Sequence, residues 1–208
     1  MKKLITLLLV LVSLNTYSQS TKDIKEYYEE ICHNTEWGGE STPKKFYEDV
    51  KIYVRGDVND SLELELYKII KELNDLIIPI NINIVKDSLE SNIYLYFGNS
   101  EGFINSLNES DYIKKWRLNF IEHNWGVFWI KRSGKTIIQS KIFIDTERTK
   151  SLQQQKHLLR EELTQSLGFP NDSYKYENSI FQQSWTEVTE FSEIDKQIIK
   201  LHYNEISL

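Results

Sequence analysis

Residues 161–172 read Glu161-Glu162-Leu163-Thr164-Gln165-Ser166-Leu167-Gly168-Phe169-Pro170-Asn171-Asp172. On a helix, Glu161 and Gln165 lie four apart and share a face, and Glu162 is turned by about 100° and borders it. Gly168 stands where a helix would stop at a left-handed residue, and Pro170 prevents the helix from resuming. The chain then turns and carries Asn171 and Asp172 back toward the helix end. Taken singly, each residue also fits an exposed helix face followed by an ordinary stop. Taken together, they form a convergent polar site with two carboxylates. Glutamate, glutamine and asparagine oxygens suit a hard divalent cation of the calcium or manganese class better than zinc. His157 lies one turn before Glu161 and extends the stripe. A histidine at this place is expected at the surface or boundary, and it is also the nearest source of an imidazole.

This spacing resembles that of the metzincin metalloproteases, whose motif is His-Glu-x-x-His-x-x-Gly-x-x-His. There two histidines one turn apart bind zinc and the adjacent glutamate acts on a metal-bound water. In this chain Glu162 and Gly168 match, and the three ligand positions hold Glu161, Gln165 and Asn171. Downstream, Ser179-Ile180-Phe181 is similar to the Ser-Ile-Met turn beneath the metal. Thr189, Asp195 and Leu201-His202-Tyr203 are similar to the closing helix of the matrix-type members. A closer resemblance is to a family of secreted bacterial proteins of unknown function. Its signature reads Glu-Glu-x-x-Gln-x-Leu-Gly, then Asn-Asp-Ser, then Ser-Ile-Phe, and this sequence carries every residue of it. The resemblance implies an α+β, zincin-like fold: a mixed sheet, an active-site-type helix and a C-terminal helix. It also implies Glu162 as general base, Glu161, Gln165 and Asn171 as the degenerate metal positions, and His157 and Asp172 as neighbouring site residues.

The elements that must position these residues are legible in outline. Residues 52–55 read as a strand ended by Gly56, and Asp60 and Glu63 form a capping-box pattern. Leu62, Leu66, Ile69, Ile70, Leu73 and Ile77 then recur at helical spacing, and Pro79 closes the helix. Residues 80–85 and 92–97 are strands rich in β-branched and aromatic side chains. Residues 101–122 are mixed and partly helical. Residues 125–131 and 136–145 flank Arg132-Ser133-Gly134-Lys135 as a hairpin. A helix is expected over 151–167, with Leu159, Leu163 and Leu167 on its buried face, and a last helix starts at the Ser192/Asp195 capping pair. Trp116, Trp125 and Trp129 are read as core and cross-strand residues. His202 is read as a packing residue.

Residues 1–18 have the layout of a secretory signal peptide: Lys2 and Lys3, an apolar run over 4–14, and small residues at Thr16 and Ser18. The run is shorter than the ~20 residues a transmembrane helix needs. The mature chain is therefore expected to be exported, periplasmic or extracellular, with no transmembrane segment. Residues 19–43 look like a polar N-terminal segment containing a short helix, and the zincin-like domain is expected over 44–208.

Without Lys2 and Lys3 the 25 basic residues become 23, against 31 acidic ones. An acidic chain with no basic run is a poor nucleic-acid or anionic-lipid binder. Cys32 is the only cysteine, so no internal disulfide and no cysteine-rich zinc site forms. Two readings follow. One is a non-catalytic binder of a peptide or envelope protein on a protease-like scaffold. The other is a metal-dependent peptidase with non-histidine ligands.

Overall fold

The computed structural model describes residues 20–35 and 42–204. The signal-peptide segment expected from the sequence, and residues 36–41 of the polar segment that follows it, lie outside these residues. In chain order the elements are α1 (Thr21–His33), β1 (Val50–Gly56), α2 (Asp60–Leu76), β2 (Ile82–Val85), a short 3-10 turn (Ser88–Glu90), β3 (Ile93–Gly98), α3 (Ser100–Ser106), α4 (Asp111–Ile121), β4 (Gly126–Ser133), β5 (Thr136–Asp145), α5 (Leu152–Gln165) and α6 (Glu193–Asn204).

The five strands form one mixed sheet in the order β2-β1-β3-β5-β4. β1 pairs in parallel with β2 and β3, and β3 in parallel with β5. β4 runs antiparallel to β5 and is the edge strand on that side. The α+β reading with a mixed sheet therefore holds. Side-chain alternation gives the sheet two covered faces. Ile93, Leu95 and Phe97 of β3 and Ile142 and Ile144 of β5 enter the main core with α1, α2, α5 and α6. Tyr94, Tyr96 and Phe143 point the other way, into a smaller aromatic core under α3 and α4 with Phe103, Ile121 and Trp129.

Several expectations need correction. α1, placed by the sequence in a polar segment ahead of the 44–208 domain, has Tyr27, Ile31 and Cys32 fully buried in the main core and packs on α6. The N-cap of α2 is Asn59, whose side chain accepts from Leu62 N, so Asp60 is already inside the helix. Residues 101–122 resolve into two helices, capped at Asn99 and starting after Ser110. Among the tryptophans, Trp129 packs in the smaller core, whereas Trp116 and Trp125 are largely exposed.

Candidate functional site

α5 carries most of the candidate residues and is buried nearly all round. Leu159, Leu163 and Leu167 face the main core, as their spacing requires. Arg160, also fully buried, reaches Glu72 and Glu65 on α2 and lies over the Phe191 ring, so the two helices are held by a charged contact inside the core. β4 and β5 pack along α5. At the start of β4, Gly126 leaves room for Glu162: a Cβ added there would fall 2.5 Å from Glu162 Oε1. Glu162 is therefore pressed against the main chain of the edge strand.

α5 ends at Gln165, and the next residues form a tight stop in which Gly168 N and Phe169 N both donate to Gln165 O. Gly168 has φ +122°, and a Cβ there would meet Lys44 O at 1.9 Å and His202 Nε2 at 2.7 Å. Both the backbone angle and the close approach require glycine. Past this stop the structure brings Asp172 to Gln165, whose Nε2 donates to Asp172 Oδ1 at 2.6 Å. Asn171 is directed elsewhere. Its Nδ2 donates to Glu30 O of α1 at 3.1 Å and to Asp172 O at 2.8 Å. The polar group at the helix end thus pairs Gln165 with Asp172 rather than with Asn171.

His157 is not at the surface. It is 2% exposed, because the chain over 185–188 covers it. Its Nδ1 lies 2.7 Å from Val188 O, and its Nε2 lies 3.4 Å from both Glu161 Oε2 and Thr186 Oγ1. The Trp185 ring meets the imidazole edge to face and reaches Trp125, at the start of β4, with ring centroids 5.1 Å apart. Burial pulls the His157 pKa below the ordinary histidine range, with the Val188 carbonyl and the Glu187 charge opposing.

Beneath α5, Ser179, Ile180 and Phe181 are fully buried in a turn held by Asp195 of α6. Ser179 Oγ donates to Asp195 Oδ1 at 2.6 Å, and Ile180 N and Ser192 N both donate to Oδ2. Ser192 Oγ in turn accepts from Asp195 N, so the capping pair read from the sequence is present and also anchors the turn. Tyr27 of α1 joins through its hydroxyl, 2.7 Å from Ser179 Oγ. Burial pushes the Asp195 carboxyl up, against the hydrogen bonds that lower it.

His202 fills the space behind Gly168. It sits between Lys44 O, 3.0 Å from Nε2, and the Tyr28 hydroxyl, 3.1 Å from Nδ1. Burial lowers its pKa to about 4.

Among the described residues, no group of three or more His, Cys, Asp and Glu side chains is placed to hold a metal ion. No described helix is long and apolar enough to cross a membrane. The site residues the sequence did not single out are Trp185, Thr186 and Val188. Nothing in their local pattern marks them, since their role comes from folding back over α5.

No curated protein matches the chain in sequence. Among solved structures, the chain is similar to one titled "Structure of Myroilysin", at 11% identity and a TM-score of 0.43, over 75% of this chain and 80% of that one. The family described as "Protein of unknown function (DUF2927)" matches residues 21–206, and this chain belongs to it.

Proposed function

We propose that this is an exported protein with a zincin-like scaffold that binds an extended peptide segment of a partner without cleaving it. The observation that carries the reading is the edge of β4 beside α5, which no other described strand covers. Asp145 N donates to Trp125 O, which fixes the antiparallel register. Residues 125, 127, 129 and 131 therefore turn their main-chain groups toward β5, and Gly126, Phe128 and Ile130 turn theirs outward. Among the described residues no strand pairs with that edge. A peptide laid there gains a ladder of main-chain hydrogen bonds, with specificity supplied by neighbouring side chains. Those neighbours include the exposed rings of Trp125 and Trp185.

The zincin-like assignment is supported by three features together: an antiparallel edge strand beside the polar helix, the glycine stop, and the buried Ser179-Ile180-Phe181 turn beneath. The absence of catalysis is supported by ligand chemistry. Two of the three expected metal positions are neutral amides, and the Asn171 amide nitrogen is bonded to the main chain of α1. Without a metal to acidify water, a lone Glu162 carboxylate is a weak hydrolytic group.

The test is a random-peptide selection on the untagged mature chain. Enriched peptides should bind in extended form. N-methylation at alternate residues, or Trp185→Ala, should weaken them at least tenfold. Failure to enrich, or binders indifferent to N-methylation, would count against the reading. The peptidase alternative is favoured by Glu162 lying against the edge strand, where a peptide bond would pass. Cleavage of a peptide mixture that disappears in Glu162→Gln would establish it and remove the non-catalytic reading.

A further inference from the structure

α4 carries apolar residues on both of its sides, and only one side is covered by the protein. Inward, Ile121 is fully buried in the smaller core, Leu118 packs against that core, and the Arg117 guanidinium lies 4.1 Å from the centre of the Trp129 ring. The helix is held firmly in this position. Arg117 and Lys141 both bond to Glu109, at 2.7 and 2.5 Å, and Arg148 donates to Ile121 O and Asn124 O at the C-terminal end. At about 100° per residue, Tyr112, Trp116 and Asn119 centre on the opposite side, with Lys115 and Ile113 at its borders. Tyr112 is 82% exposed, Trp116 58% and Ile113 41%. The Trp116 ring is backed by Phe120, 17° from parallel. Apolar residues exposed singly are ordinary, but three together on one short, firmly seated helix mark a contact surface.

Area and charge decide what that surface meets. At these exposures the three side chains offer on the order of 400 Å². A stable pairing of two copies buries about 800 Å² on each partner, more than this 11-residue helix presents. A bilayer surface asks less. Indole and phenol rings settle at the headgroup level, and lysine stems reach past them to the phosphates. Residues 105–120 carry three cations, Lys114, Lys115 and Arg117, against two anions, Glu109 and Asp111. That is a net of +1 in a chain of formal net charge −6. The acidity of the whole chain, which disfavours anionic lipid, is thus inverted on this helix, and the exposed residues leading into it, Asn105, Ser106, Asn108 and Ser110, are uncharged.

We propose that the outer face of α4 is a membrane-surface contact. Tyr112, Ile113 and Trp116 enter the boundary between headgroups and acyl chains of a phospholipid bilayer. Lys115 lies against anionic headgroups, and Lys114 adds to the local field. Three side chains give a shallow, reversible attachment. α4 covers the sheet face opposite α5, so a docked molecule keeps α5 directed away from the lipid. The proposal stands whether or not a peptide binds the β4 edge.

The experiment uses the untagged mature chain, floated on a density gradient with vesicles of phosphatidylcholine and phosphatidylglycerol in equal amounts. The protein should float with them. Tyr112→Ser combined with Trp116→Ser should lower the bound fraction at least about tenfold. Both side chains are exposed, so Tm should stay unchanged. Lys114→Gln with Lys115→Gln should weaken binding severalfold, whereas Trp185→Ala, beside β4, should bind as the unmodified chain does. Brominated lipid gives an independent reading, since it should quench the fluorescence of the unmodified chain and lose that effect in Trp116→Phe. Absence of flotation would overturn the proposal. So would flotation that survives the Tyr112/Trp116 change or the lysine changes, flotation lost in Trp185→Ala, or quenching that persists in Trp116→Phe. Self-association abolished by the Tyr112/Trp116 change would also overturn it, because a second copy would then be the occupant.

Discussion

Asp195 and Gly168 hold the candidate site from below and behind. Asp195 is fully buried and receives one hydroxyl and two amide donors. Replacing it by alanine leaves those donors without an acceptor in the core, so Asp195→Ala should destabilise the fold by roughly 3 kcal/mol in urea denaturation. Gly168→Ala meets two penalties at once, a positive φ and a main-chain oxygen at 1.9 Å from the new Cβ. It should cost at least about 2 kcal/mol, and unlike an exposed helix substitution it should also shift the His202 ring signals. Gly168 was legible in the sequence because a C-terminal stop has a local signature. His157 was not: the atoms that bury and orient it, Val188 O and the Trp185 ring, lie on a distant irregular segment. Asn171 misled for a related reason, since its partner is Glu30 O on α1.

Between elements, the contact of α2 with α5 depends on Arg160. It is fully buried, bonded to Glu65 and Glu72, and its Nε has no hydrogen-bond partner. Arg160→Ala would leave Glu65, itself 6% exposed, with only Lys156 at 3.7 Å. The expected loss is about 3 kcal/mol by thermal or urea unfolding. Replacing Arg160 and Glu65 together by apolar residues of similar volume should recover most of it. The helices with one continuous apolar face, α2 and α5, were readable because their periodicity and their burial agree. α3 and α4 were not, because their apolar residues divide between two destinations. Phe103 and Ile104 enter the smaller core, and Tyr112, Ile113 and Trp116 stay exposed. The capping pair Ser192/Asp195 was readable as a helix start, but its second duty of holding the 179–181 turn required the tertiary structure.

At the scale of the molecule, acid should unfold this protein through its buried histidines. His202 has a folded pKa of about 4 against an ordinary value of 6.5. Between those values the unfolded chain binds a proton that the folded one refuses. The stabilisation is thus complete above pH 6.5 and is lost as pH falls toward 4, by roughly 3 kcal/mol in all. His157, also lowered by burial, adds in the same direction. Asp195, raised by burial, acts oppositely at the acid end, because its protonation favours the folded state. His202→Gln should flatten the slope of stability between pH 6.5 and 4 while Asp195 still titrates, as followed by urea midpoints across that range.

The packing of α1 on α6 also has a consequence for timing. Tyr27 reaches Ser179 across 152 residues and Tyr28 reaches His202 across 174. Contacts so remote in sequence form late and slow the search for the native state. A ribosome delivers α1 long before α6, so that helix waits, without its partner, for the sheet and the helices between them to arrive. The core is closed by a seam between its earliest and latest parts, and a chain cut short before α6 should remain open and protease-sensitive however much of the sheet it contains.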